Sequence, residues 1–151
     1  DTLIGGVGND SITGGSGNNV YVLAASGDSS AATVQVNANF ASITELAGDI
    51  YTGTSSDTFD LVEGGGTYNE KLGFTVLTDG QIAVPTFARA GLDAFVYRDA
   101  GTNKFYLAYE TTAGTAGVFG DLETVELVGV VTAASSFSVS TAGVVTFGIA
   151  A

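Results

Sequence analysis

Apolar and polar residues alternate in short runs through most of this chain, and the runs are separated by clusters of Gly, Ser, Thr, Asn and Asp. Alternation with period two, punctuated by turn formers, predicts half-buried strands rather than helices. The runs are shortest at the start. There Thr2-Leu3-Ile4, Ser11-Ile12-Thr13 and Val20-Tyr21-Val22 each read as a three-residue strand with a central apolar residue. Further on, residues 33–36 alternate and are β-branched, residues 50–52 form a short strand, and residues 40–46 fit either a strand or a short helical turn. Beyond the triple glycine at 64–66 the pattern is one of hairpins. Residues 74–77 and 81–84 flank Thr78-Asp79-Gly80, residues 95–98 and 104–109 flank a five-residue loop, and residues 137–140 and 144–147 flank Thr141-Ala142-Gly143. Residues 125–131 are a β-rich run, and helix signals are few, with 44–46 and 113–121 the weakest strand regions. The pattern predicts an all-β chain whose later part is an antiparallel sandwich or small barrel of hairpins.

The short strands at the start belong to two tandem nonapeptides, Gly5-Gly6-Val7-Gly8-Asn9-Asp10-Ser11-Ile12-Thr13 and Gly14-Gly15-Ser16-Gly17-Asn18-Asn19-Val20-Tyr21-Val22. Asp1-Thr2-Leu3-Ile4 has the form of the tail of an earlier copy, so Asp1, Asp10 and Asn19 fall nine residues apart, as do Leu3, Ile12 and Tyr21. A flexible linker does not hold such offsets. The pattern resembles the glycine-rich nonapeptide repeat of the calcium-binding RTX proteins, G-G-x-G-x-D-x-U-x with U apolar. In such a repeat six residues turn and three extend. The glycines take backbone angles that a Cβ forbids and let carbonyl oxygens crowd inward, where a hard, flexibly coordinated cation such as Ca²⁺ relieves their repulsion. The carboxylate at position six adds charge, and the apolar residue at position eight enters a narrow core.

The resemblance implies a parallel β-roll in which each loop stacks on the loop two repeats away and an ion lies between the two. Its implied ligand set here is Asp1, Gly5, Gly6, Val7, Gly8, Asp10, Gly14, Gly15, Ser16, Gly17, Asn19 and Asp28. The loop at 5–10 fits the repeat fully, whereas the loop at 14–19 carries Asn19 in place of Asp. The stacking partner of Asp10 would be Asp28, eighteen residues on, but residues 23–28 read LAASGD and lack the glycines. The expected organisation is therefore a roll end at residues 1–28 and a C-terminal β-rich assembly or secretion region at 29–151. Because the chain begins in mid-repeat, it reads as the C-terminal piece of a longer protein.

A weaker copy follows at residues 53–61, where Asp57 and Phe59 keep the offset of Asp10 and Ile12 but one glycine survives. Without the glycines the carbonyls cannot converge freely, and this stretch reads as an ordinary Asp-containing turn entering a strand. The aromatic group Phe95, Tyr97, Phe105, Tyr106 and Tyr109 reads as cross-strand packing rather than a carbohydrate platform. Glu123 and Glu126, three apart on a strand, face opposite sides, cannot converge for acid–base work, and are read as solvated.

Charge narrows the partners. Four basic residues against 16 acidic ones give a net charge of -12, which disfavours nucleic acid and anionic membranes. No run of about 18 apolar residues occurs, so no helical membrane span is expected. There is no Cys, and metal ions or assembly would supply the stability that disulfides give other extracellular proteins. There is also no His, hence no zinc-protease motif and no Ser-His-Asp triad in this chain.

The expectation is a non-enzymatic, calcium-dependent structural part of a secreted bacterial protein of the surface-layer, biofilm-matrix-filament or adhesin kind, located outside the cell or on its surface and assembling with copies of itself. Export through a type I secretion machinery is implied by the resemblance. The alternative is the secretion and folding module of an exported RTX protease or lipase. The uncharged tail at 137–151 resembles the ends of type I-secreted proteins and is expected either to dock on a neighbouring copy or to pack on its own core.

Overall fold

The computed structural model describes residues 1–6, 8–23, 49–62, 67–69, 74–75, 90–99, 104–113, 115, 122–131 and 135–149. Among these the chain is all-β, with no helix. The strands are β1 (Thr2–Ile4), β2 (Ser11–Thr13), β3 (Val20–Val22), β4 (Ile50–Thr52), β5 (Thr58–Asp60), β6 (Phe74–Thr75), β7 (Ala94–Asp99), β8 (Lys104–Glu110), β9 (Leu122–Val128), β10 (Ser135–Val139) and β11 (Val144–Ile149). They form two mixed sheets, a six-stranded one ordered β1-β3-β5-β11-β10-β6 and a five-stranded one ordered β2-β4-β9-β8-β7. Neither sheet closes on itself, so the small-barrel alternative is set aside.

The short strands alternate between the sheets. β1, β3 and β5 run parallel in one, with Leu3 opposite Tyr21 and Tyr21 opposite Phe59. β2 and β4 run parallel in the other, with Ile12 opposite Tyr51. Three extended residues point only their central side chain inward, because successive side chains leave opposite faces of a strand. Tyr21, Tyr51 and Phe59 are wholly buried, while Leu3 and Ile12 are partly buried against the same core. Tyr21 stacks on Phe59 with ring centroids 5.0 Å apart and planes at 23°. Tyr51, from the other sheet, meets both edge-on at 5.0 and 5.5 Å. Burying each ring contributes about 1.5–3 kcal/mol, so this aromatic trio is the principal bond between the sheets at that level.

Both sheets run on into the later part of the chain. β4 takes β9 as a parallel neighbour, with Tyr51 opposite Leu127, and β5 takes β11 as an antiparallel one, with Phe59 opposite Val145. The stacked strands and the hairpins thus share two sheets. The hairpins β7–β8 and β10–β11 form where the pattern predicts them. β9 starts at Leu122 and stops at Val128, with Val130 and Val131 buried beyond its end. β6 covers only the start of the predicted 74–77 strand and pairs with β10, while residues 76–84, including the Asp79-Gly80 turn, lie outside the described residues. So do the predicted strand at 33–36 and the ambiguous segment at 40–46.

The tail is not a free arm. β11 lies between β5 and β10, and Val139 and Val145 are buried. Through Ile149 it packs in its own protein's sheet, the second of the two expectations for it. Among the aromatic residues of the β7–β8 hairpin, Tyr106 and Tyr109 are buried and Phe105 packs against the core, as cross-strand packing requires. Glu123 and Glu126 do leave opposite faces of β9, but Glu123 is buried, not solvated. It points to the core side with Val125 and Leu127, and the Tyr109 hydroxyl donates to its Oε2 at 3.0 Å. Glu126 faces Lys104 across the strands at 3.4 Å.

Candidate metal centre

The glycines at positions two and four of the two loops share a backbone conformation. Gly6 and Gly15 sit at φ 90° and 76°, and Gly8 and Gly17 at 125° and 97°, so positions two and four of both repeats occupy conformations that L side chains rarely adopt. A Cβ at these four positions would meet nothing within 4 Å. Their requirement is therefore torsional rather than spatial.

Position one has the opposite requirement. A Cβ on Gly5 would come within 3.0 Å of Asp10 Oδ2, and one on Gly14 within 2.7 Å of Asn19 Nδ2 and closer still to the Tyr21 hydroxyl. A Cβ on Gly53 would collide with Asp57 Oδ2 and sit 2.7 Å from the same hydroxyl. In each loop the first glycine leaves room for the polar side chain that closes that loop. This explains why Gly53 is the glycine that persists in the weaker copy.

The closing side chains form two ladders. In the six-stranded sheet the amino nitrogen of Asp1 donates to Asn19 Oδ1 at 3.1 Å, and the Asn19 backbone N–H donates to Asp57 Oδ1 at 2.8 Å. In the five-stranded sheet the Asp10 backbone N–H donates to Asp49 Oδ1 at 2.6 Å. The rule is the same each time. A position-six side chain accepts from the main-chain nitrogen of the position-six residue one layer earlier. The main chain follows suit, with Val20, Thr58, Ile50 and Glu126 donating to the carbonyls of Asp1, Asn19, Asp10 and Asp49.

The two ladders differ in electrostatics. Asp57 is fully buried but well supplied with donors. Its Oδ1 also receives Asn19 Nδ2 at 3.1 Å, and its Oδ2 receives the Thr54 N–H at 2.8 Å, closing the turn that leads into β5. Burial, then the charge of Asp57, pushes the Tyr21 phenol above its ordinary pKa of 10.0. On the other ladder Asp49 is buried and takes the Tyr51 hydroxyl on Oδ2 at 3.2 Å. Beside it, the buried Oδ2 of Asp10 has no hydrogen-bond partner. A buried carboxylate oxygen without a donor is costly unless a proton or cation joins it. The donor chemistry there, carboxylate oxygen beside a glycine loop, suits a hard cation. Among the described residues no three carboxylate side chains gather in one place, so main-chain oxygens would have to supply most of such an ion's coordination.

Of the residues expected to ligate calcium, the structure brings Asp1 and Asn19 together on one ladder and places Gly5 beside Asp10 on the other. Gly8, Gly15, Ser16 and Gly17 lie exposed at the loop tips. Val7 and Asp28 lie outside the described residues. The residue found over Asp10 is Asp49, which the nine-residue spacing does not reach. Its signal was the offset alone, since Asp49-Ile50-Tyr51 repeats the Asp10-Ser11-Ile12 arrangement but Thr44, Glu45 and Ala47 stand where the repeat has its glycines. Asp57 behaves as the turn former its sequence suggests, yet it stands in line with Asn19.

A separate buried acidic pair lies between β7 and β8. The Asp93 N–H donates to Glu110 Oε2 at 2.5 Å, Asn69 Nδ2 donates to Asp93 Oδ1 at 3.0 Å, and the Tyr68 hydroxyl donates to the Glu110 carbonyl at 2.9 Å. These contacts join residues 68–69 to the hairpin and have no repeat register. Compared with known protein families and with characterised proteins, the chain matches none.

Proposed function

We propose that this chain is a calcium-dependent structural part of a secreted bacterial surface-layer, matrix-filament or adhesin protein, non-catalytic, and able to assemble with copies of itself outside the cell. On this reading the alternating short strands are a β-roll, and calcium enters beside the Asp10 loop. The supporting observation is the combination at that loop of glycines at φ 90° and 125° with a buried Asp10 oxygen that lacks a donor. With 16 acidic residues and 4 basic ones, copies repel at low salt, and calcium screens that repulsion. Export in the calcium-poor cytoplasm would then involve an unfolded roll that folds outside.

The test is a calcium titration of the whole chain by circular dichroism and light scattering. Calcium is expected to order the chain, raise its melting temperature and drive growth into sheets or filaments visible by electron microscopy. An EGTA-treated sample with the same spectrum and melting curve would sink the calcium reading. One observation favours the rival reading, a secretion and folding module of an exported enzyme: β11 packs within its own sheet and is not available to a neighbour. A calcium-responsive chain that stays a monodisperse monomer at millimolar calcium would put that module ahead.

A further inference from the structure

The two ladders meet the same electrostatic problem, and only one of them has solved it internally. Position six carries Asp1, Asn19 and Asp57 on one ladder and Asp10 then Asp49 on the other. Three carboxylates in line would each present oxygens to the next layer, with main-chain N–H groups as the donors between them. Asn19 breaks that line. It is almost wholly buried, its Oδ1 accepts from the Asp1 nitrogen at 3.1 Å, and its Nδ2 donates to Asp57 Oδ1 at 3.1 Å. It therefore presents an acceptor to one neighbour and a donor to the other, which a carboxylate cannot do unless protonated. On the other ladder position six is Asp10 and then Asp49, neither with an amide nitrogen in its side chain, and among the described residues the buried Asp10 Oδ2 has no hydrogen-bond partner.

We infer that Asn19 takes the place of a cation on its ladder, so that the Asn19–Asp57 side of the stack is held together without metal and calcium is confined to the Asp10–Asp49 side. This rests on the calcium reading above. It goes beyond it by making the loop at 14–19, which has all three repeat glycines, a metal-independent loop by virtue of one side-chain nitrogen. Asp57, fully buried, is neutralised by N–H groups rather than by an ion. Asn19 is thus a residue that sets how many ions the stack takes and on which face.

The test is Asn19→Asp, compared with Asn19→Ala and the unaltered chain, each melted at neutral pH in chelator and in millimolar calcium, with bound calcium counted by equilibrium dialysis. In chelator, Asn19→Asp is expected to melt below the unaltered chain, because a carboxylate then faces Asp57 with no side-chain donor between them. Calcium is expected to restore it and to add one bound ion per chain. Acidification in chelator should restore it too, since a protonated Asp can donate as the carboxamide does. Asn19→Ala should lose stability without calcium rescue. If Asn19→Asp melts with the unaltered chain in chelator, the inference is overturned. If it is destabilised or unfolded and neither calcium nor acid restores it, the inference is equally overturned. An unaltered chain that ignores calcium would remove the Asp10 reading, while the response of Asn19→Asp would still decide the role of Asn19.

Discussion

The hydroxyl of Tyr21, in the six-stranded sheet, donates a 2.8 Å hydrogen bond to the carbonyl of Thr52, at the end of β4 in the five-stranded sheet. The same phenol lies against Asp57, and burial and that charge raise its pKa above the ordinary 10.0. Tyr21 thus joins the two ladders and carries a pH dependence with it. The folded chain holds this proton more tightly than the unfolded one. The stabilisation is fully present below pH 10.0 and is lost as pH rises through the raised value. Melting temperature should fall in that alkaline window. Tyr21→Phe should be less stable at neutral pH by about 1 kcal/mol and should show a smaller alkaline decline. Thermal melts of both chains from neutral pH upward check this.

The first glycine of each loop is needed for space. Gly14→Ala and Gly53→Ala each push a methyl into the closing side chain and the Tyr21 hydroxyl. Each should cost about 1–3 kcal/mol, the range for overpacking a filled site. Ser16→Ala, at an exposed loop tip, should stay within about 0.5 kcal/mol of the unaltered chain. Urea denaturation of the three variants gives the comparison, and equal midpoints would contradict the close approach.

Asp10 and Asp57 hold the same repeat position in loops of different character. Asp10→Ala should weaken calcium binding with little loss of stability in chelator, because its Oδ2 has no protein donor to lose. Asp57→Ala strands the Asn19 N–H, the Asn19 carboxamide and the Thr54 N–H, and should cost about 2–4 kcal/mol with calcium affinity less affected. Calorimetric titration and melts in chelator separate the two effects; equal loss of affinity would make the Asp57 loop a true calcium site.

The three-residue strands were legible because each has one inward position, and a nine-residue recurrence of Leu3, Ile12 and Tyr21 marks it without help from neighbours. Asp49 was not, because residues 24–48 separate it from the repeats and none of the three repeat glycine positions before it holds a glycine. What survived was the two-residue offset from Asp to an aromatic, seen at Asp49–Tyr51 and again at Asp57–Phe59. Partner choice was also hidden. Nothing local in β4 or β5 says that β9 and β11 will lie beside them. Glu123 was misjudged for the same reason, since its burial depends on the Tyr109 hydroxyl of the adjacent strand.

That Tyr109–Glu123 contact gives a further measurement. Tyr109→Phe removes a donor to a buried carboxylate and should cost about 1–3 kcal/mol. Pairing it with Glu123→Gln in a double-mutant cycle should show coupling between the two positions, because they share one hydrogen bond. Strict additivity would mean that the contact adds nothing.

The pairing of β5 with β11 has a consequence in time. Asp60 lies opposite Val144, so the sheet of β1, β3 and β5 gains its next strand only after residues 61–143 have been made. Contacts between residues so far apart in sequence are entropically expensive to close and form late. Refolding from denaturant should accordingly be slow for a protein of this length. A chain emerging from a ribosome or a channel would hold β1, β3 and β5 without their neighbour β11 until residues 144–149 arrive.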